Sequence, residues 1–250
     1  MKNPEVLAVI PARFGSSRLP GKVLLDIGGK SMVERVWLQV KQAQTISKVI
    51  IATDSQEVID HVTAFGAEAM MTSAYHQSGT DRCAEVNVVH TADYIINIQG
   101  DEPFIEPSQI DSLIEGMIEK NADLATLYKK IERAEDLFSS AVVKLCKAEN
   151  GRVLYFSRHP IPYIRSSGQE HWMETHVFYK HIGIYAYTSD VLQSISKLSV
   201  SSLEKAESLE QLRWLENGRS IIGIETSFQN FGIDTAEDLE KARNHVRRSH

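Results

Sequence analysis

Val6-Leu7-Ala8-Val9-Ile10-Pro11-Ala12-Arg13-Phe14-Gly15-Ser16-Ser17-Arg18-Leu19-Pro20-Gly21-Lys22 is the stretch that decides the fold. Its opening apolar run predicts a first strand over 5–10, continuous enough to be buried on both faces of a parallel sheet. A loop rich in glycine and serine follows, and it carries the cations Arg13, Arg18 and Lys22. Such charges repel one another unless a polyanion sits among them. Gly15 and Gly21 free backbone N–H groups that can point at the same anion. A nucleoside triphosphate suits this loop; the alternative is a solvated basic loop between a strand and a helix.

Better-known phosphate motifs do not fit. A Walker A loop requires Gly, four residues, then Gly-Lys-Ser/Thr. Gly29-Lys30-Ser31 has Leu24 at the earlier glycine position, while Gly21-Lys22 has Ser16 there and Val23 after the lysine. The G-x-G-x-x-G dinucleotide fingerprint is absent. Composition narrows the classes further. The chain has 250 residues, 24% of them charged and 42% hydrophobic, with a net charge of −6. That size supports a substantial core, and the acidic balance argues against nucleic-acid binding. Cys83 and Cys146 form no CxxC pair, which suits a reducing cytoplasm. The first residues lack a signal core, and no apolar run approaches about 18 residues, so no membrane partner is expected.

Working outward, strand-like runs at 48–53, 68–71 and 94–98 alternate with helical patterns at 31–44, 55–64, 80–90 and 108–120. The alternation predicts an α/β fold with a mostly parallel central sheet and right-handed crossovers. Asp54-Ser55 and Pro107-Ser108 are candidate helix starts. Later strands are expected at 122–128, 141–146, 152–157, 181–187 and 221–225, with helices at 202–217 and 235–247. A polar stretch from His159 to Tyr179 is too long for an ordinary connection. It is either a functional loop or an arm toward a partner subunit. The organisation expected is one domain over 1–250 with an insertion at about 155–200.

Two carboxylates stand out. Gln99-Gly100-Asp101-Glu102-Pro103 follows the strand at 94–98, on the edge where parallel sheets bind ligands. Asp101 is there either a magnesium ligand or a turn aspartate. Gly100 would permit close backbone approach. Near the end of the chain, Thr235 with Asp238 resembles a capping box, which leaves Asp234 outside the helix. With Asp101 it supplies a second carboxylate for a metal-assisted reaction.

Together these motifs resemble the 3-deoxy-manno-octulosonate cytidylyltransferase (CMP-Kdo synthetase) family. Further pieces carry the likeness along the chain: His76-Gln77-Ser78-Gly79-Thr80-Asp81-Arg82, Phe156-Ser157-Arg158, His181-Ile182-Gly183-Ile184-Tyr185, Leu209-Glu210-Gln211-Leu212-Arg213 and Gly232-Ile233-Asp234-Thr235. The resemblance implies a nucleotide-diphospho-sugar transferase (Rossmann-like) fold with a smaller dimerisation and sugar-binding insertion. It also implies a homodimer, and Mg²⁺-dependent activation of Kdo with CTP to CMP-Kdo and pyrophosphate for lipopolysaccharide biosynthesis. By motif match, Pro11, Ala12, Arg13, Arg18, Lys22 and Asp101 are nucleotide-binding residues, with Arg13 and Lys22 on the triphosphate. Ser78 and Gly79 stand where the family holds cytosine. Asp101 and Asp234 match its metal-binding aspartates. Gln99, Arg158, His181, Tyr185, Glu210 and Gln211 correspond to the sugar pocket.

The acceptor is an acid, and the Arg158 fork suits a carboxylate. His181 is either a donor to the sugar or a satisfied histidine of the sheet. On a helix over 202–217, Glu207, Glu210, Gln211 and Trp214 would share a face, facing either sugar hydroxyls or solvent. Close alternatives are a cytidylyltransferase for 8-amino-Kdo or another ulosonic acid such as sialic acid. A non-catalytic nucleotide-binding regulator is the alternative of another class.

Overall fold

The computed structural model describes residues 4–15, 19–229 and 231–248. The apolar run of the opening stretch forms β1 (Val6–Pro11), whose first five residues are buried. Then come α1 (Met32–Val40), β2 (Lys48–Thr53), α2 (Gln56–Ala64), β3 (Ala69–Met71), α3 (Gly79–Val89), β4 (Tyr94–Asn97) and α4 (Pro107–Glu119). The second half adds β5 (Leu124–Lys130), α5 (Ala134–Phe138), β6 (Lys144–Lys147), β7 (Val153–Ser157), α6 (Trp172–Thr175) and β8 (Tyr179–Thr188). It closes with α7 (Ser189–Ile195), α8 (Ser202–Glu207), α9 (Glu210–Glu216), β9 (Ile222–Glu225) and α10 (Ala236–Arg248).

The sheet runs β3-β2-β1-β4-β8-β5-β9, with the β6–β7 hairpin attached through β6 to β8. β1 pairs in parallel with β2 and with β4, and β9 in parallel with β5. β8 is antiparallel to both β4 and β5, so within that path it alone is reversed. The mostly parallel sheet expected from the alternating pattern is what forms. β8 is long enough to serve two neighbourhoods. Its later residues lie between β4 and β5, and its first residues pair with β6. A register shift opposite Thr126 and Leu127 marks the change.

Side-chain alternation along β1 builds both layers. Val6, Ala8 and Ile10 pack with Val33 and Val36 of α1 and with Ile110 and Leu113 of α4. Leu7 and Val9 face the other side, with Cys83 and Val86 of α3, Leu192 of α7 and Trp214 of α9. α10 docks separately, placing Leu239, Ala242 and Val246 against Ile27, Met32 and Ile233.

One local expectation is overturned and two are refined. The helix expected over 202–217 is two helices. Ser201 caps α8 in a reciprocal pair with Glu204, and Ser208 then turns left-handed at φ 52° before α9 begins at Glu210. Glu207 and Glu210 therefore do not share a helical face. Of the Asp54-Ser55 start, Ser55 holds the cap position of α2 as expected, while the Asp54 carboxylate binds the Arg82 guanidinium. α4 starts with Glu106 as its cap and Pro107 in its first turn, where a missing N–H costs nothing.

Candidate active site

β1 and β4 are neighbours and parallel, so the loops that leave them share one edge of the sheet. Two backbone bonds tighten this edge. Gly100 N donates to Pro11 O at 3.3 Å, and Ile233 N donates to Asp101 O at 3.0 Å. The second bond brings the segment before α10 beside the loop after β4, and Asp234 beside Asp101. A Cβ on residue 100 would stand 2.7 Å from Pro11 O, so only glycine lets the two loops approach this closely. Gly21, at φ 63°, opens a short 3-10 turn over Lys22–Leu24 that turns Lys22 inward.

Three distant parts of the sequence thus meet at one point. Lys22 Nζ donates to Asp101 Oδ2 at 2.5 Å and to Asp234 Oδ1 at 3.1 Å. The Asp234 position is fixed from behind. Asp238 Oδ2 accepts from Thr235 Oγ1 at 2.8 Å, and Thr235 Oγ1 accepts from Asp238 N at 3.2 Å. This is the reciprocal cap expected from the sequence, and it leaves Asp234 ahead of the helix.

Beside this point lies a cavity of about 300 Å³, lined by Pro11, Arg13, Lys22, Ser78, Gly79, Gln99, Asp101 and Asp234 among others. Ala12 is wholly buried behind the wall, with its N–H on Ala52 O at 2.8 Å. Arg18 lies outside the described residues. Ser78 caps α3, accepting from Asp81 N while Asp81 accepts from Ser78 N. Ser78, Gly79 and Arg82 line the cavity, so it borders the start of α3, the end of a helix that favours a polar or anionic ligand.

The carboxylates suit a magnesium ion. Asp101 and Asp234 present oxygens to a common point, which a cationic nitrogen reaches in this structure. Among the described residues no group of three or more His, Cys, Asp or Glu gathers. Magnesium commonly uses only one or two protein carboxylates and takes its other ligands from phosphate and water.

The sugar-side candidates divide. Gln99 lines the cavity, with Nε2 on Asn97 Oδ1 at 3.2 Å. Tyr185 on β8 pairs with Asn97 on β4, so it stands one strand away. The reversed direction of β8 brings its first half, with His181, toward the same edge. His181 packs between Phe156 and Tyr185, at ring-centroid distances of 5.1 and 5.3 Å. Thr126 Oγ1 lies 2.7 Å from Ile184 O, to which it donates, and 2.9 Å from His181 Nε2, from which it accepts. Burial pulls the His181 pKa down to about 3 and keeps the ring neutral.

Glu210 backs the cavity wall from α9, where its Oε2 accepts from Thr80 Oγ1 at 2.9 Å. Burial raises its pKa; hydrogen bonds from Ser78 and Thr80 oppose that without cancelling it. Gln211 is buried beside it. Arg158 is engaged differently from the fork expected to meet a carboxylate. Its Nε donates to Glu207 O at 2.7 Å, its Nη1 to Ser140 O at 3.0 Å and its Nη2 to Ser208 O at 3.3 Å. In this structure it fastens the break between α8 and α9.

The cytidylyltransferase family profile matches residues 7–221. A 3-deoxy-manno-octulosonate cytidylyltransferase of Cytophaga hutchinsonii is 47% identical over 240 residues, spanning 95% of this chain and 96% of its own. The chain belongs to the 3-deoxy-manno-octulosonate cytidylyltransferase family. The family's Porphyromonas gingivalis member is 44% identical over 250 residues and covers 98% of each chain. Among solved structures, a CMP:2-keto-3-deoxy-manno-octonic acid synthetase complexed with CTP superposes with TM-score 0.92 at 43% identity, covering 98% of this chain and 100% of that one. A putative glucose-1-phosphate thymidylyltransferase from Bacillus anthracis, TM-score 0.66 at 18% identity, covers 97% of this chain and 95% of its own and shares the fold.

One pair at the cavity was not assigned from the sequence. Arg82, 3% exposed, lines the cavity and donates from Nη2 to Asp54 Oδ2 at 2.6 Å and from Nη1 to Thr72 Oγ1 at 2.6 Å. The other Asp54 oxygen accepts from Phe14 N at 3.1 Å. Asp54 therefore ties the basic loop to α3. The signal was present: an acid directly after the apolar strand 48–53, on the ligand edge, and an arginine among buried residues of α3.

Proposed function

We propose that the chain transfers the cytidylyl group of CTP to 3-deoxy-D-manno-octulosonate, releasing pyrophosphate and giving CMP-Kdo for lipopolysaccharide assembly. The observation that carries this is the meeting of Lys22, Asp101 and Asp234, from three remote stretches, beside a cavity bordered by the first turn of α3. The family's members and the CTP complex of its solved relative supply the nucleotide and the sugar.

In this reading the triphosphate lies against Arg13 and Lys22, with Arg18 assisting, and cytosine rests on Ser78 and Gly79. The anomeric hydroxyl of the sugar attacks the α-phosphate in line. Arg13 and Lys22 offset the charge that grows on the departing pyrophosphate. Asp101 and Asp234 hold Mg²⁺, which when bound lowers the pKa of the attacking hydroxyl and polarises the α-phosphate. Gln99 orients the sugar at the cavity, with His181, Tyr185, Glu210, Gln211 and Arg158 around its far side. A neutral His181, its one N–H held by Thr126, leaves Nδ1 as an uncharged acceptor.

The chain works as a homodimer in the cytoplasm. A groove at the β6–β7 hairpin is lined in part by Leu154, Ile161, Pro162, Met173 and Val177, with Leu154 50% and Val177 42% exposed. A second copy would cover that apolar surface. Cys83 and Cys146 are free thiols, as a reducing compartment favours. Among the described residues no helix is long and apolar enough to cross a membrane.

A pyrophosphate-release assay comparing Kdo, 8-amino-Kdo and sialic acid with CTP tests the assignment. Kdo should turn over fastest. Preference for the amino sugar or for sialic acid would reassign the substrate, and CTP binding without turnover on any of them would indicate a regulator.

A further inference from the structure

Lys22 stands in an unexpected relation to the acids beside it. A lysine that serves a triphosphate would be expected to point its ammonium into the phosphate space. Here the ammonium bonds both carboxylates, at 2.5 and 3.1 Å, and the Lys22 side chain is only 12% exposed. One positive charge lies between two negative ones, at the point where both oxygens reach a common cation. An ammonium and a divalent ion cannot share that place. Two acids also hold a dication more strongly than they hold a single ammonium, provided that the ammonium has somewhere else to go.

That destination is close. Lys22 and Arg13 border the same cavity, so phosphates lying against Arg13 also come within reach of the Lys22 stem. The lysine side chain is a flexible four-carbon arm with a compact charge, suited to moving between partners. The backbone around it is less free. Gly21 is held left-handed, and the turn is closed by Leu24 N on Gly21 O at 2.9 Å. A change of partner therefore falls to the side chain.

We propose that Lys22 is an internal stand-in for the divalent cation: it occupies the point between Asp101 and Asp234 until a triphosphate draws it away, and only then do both carboxylates open to the metal. This rests on the reading of Asp101 and Asp234 as metal ligands. Metal and nucleotide then bind cooperatively, because the nucleotide removes the competitor of the metal. The device also keeps the paired acids neutralised in part while the nucleotide is away.

The test uses Mn²⁺ as the probe, followed by electron paramagnetic resonance, with the intact protein in the presence and absence of CTP. In wild type, CTP should tighten Mn²⁺ binding strongly. Lys22→Met should bind Mn²⁺ without CTP about tenfold or more tighter than wild type, a gain within the usual span of coupling between sites. Lys22→Arg, which keeps a cation on the acids, should bind Mn²⁺ weakly, like wild type, and a circular dichroism spectrum of Lys22→Met that matches wild type excludes a folding defect there. Asp101→Asn should abolish the gain in the Lys22→Met background. Equal Mn²⁺ affinity of wild type and Lys22→Met without CTP, with Asp101→Asn still removing the site, would overturn the handover alone. Absence of Mn²⁺ binding in every form, CTP included, would overturn the metal reading and the handover together.

Discussion

At the scale of single residues, the site depends on groups that each serve two masters. Asp54 accepts from the Phe14 backbone and from the Arg82 guanidinium, with side chains 18% exposed for Asp54 and 4% for Arg82. Asp54→Ala leaves a buried guanidinium without its counter-charge, which costs about 3–5 kcal/mol. Urea unfolding should show that loss, and CTP affinity should fall with it because the basic loop loses its anchor. His181 makes a pH prediction. Its pKa is depressed from 6.5 to about 3 in the folded chain, so the unfolded chain takes up the proton first. Its contribution to stability is complete above about 6.5 and declines as pH falls toward about 3. An NMR titration should find the ring neutral at pH 5; a midpoint near 6.5 would refute the buried neutral ring. Arg13, Lys22, Asp101 and Asp234, which the fold brings to one cavity, stand out in the sequence. Cations crowded into a glycine-rich loop repel one another, and an acid directly after an apolar strand sits where parallel sheets take ligands, so both call for a bound group. The Asp54–Arg82 pair was not assigned, because an aspartate beside Ser55 at the start of a helix has the pattern of a cap.

At the scale of elements, placement comes from close approaches and breaks. Gly100 is where the loop after β4 touches the end of β1. Gly100→Ala would set a methyl 2.7 Å from Pro11 O and push Asp101 away from Lys22 and Asp234. Turnover should fall about a hundredfold, the scale of a displacement near 1 Å at a reacting centre, while circular dichroism stays unchanged. Loss of the fold in that variant would show that Gly100 serves the sheet more than the site. The split between α8 and α9 was illegible for a physical reason. Leu203, Ala206, Leu209 and Leu212 keep an apolar pattern across Ser208. Pattern alone does not reveal a left-handed serine, or an arginine such as Arg158 that binds the carbonyls freed at the break. The carbonyl bonds of Arg158 were likewise hidden, since a guanidinium suits backbone carbonyls as well as a substrate acid.

At the scale of the whole molecule, the alternation of strands and helices in the first half determined the parallel part of the sheet. The run 181–187 could be read as a strand, but not as one reversed between β4 and β5. Apolar runs report burial; they carry no direction and no partner. The exposed Leu154 and Val177 belong to this scale also. If the proposed homodimer forms through this surface, wild type should sediment as a dimer and Leu154→Asp as a monomer; an unchanged dimer would place the interface elsewhere, and a monomeric wild type would overturn the homodimer. Nucleotidyl transfer at the α-phosphate can be followed by supplying CTP labelled at either the α or the γ phosphate, together with Kdo and Mg²⁺. The α label should enter the sugar product and the γ label the pyrophosphate, with both transfers lost in Asp101→Ala. The γ label appearing on the sugar, or no label leaving CTP with any ulosonic acid, would contradict it.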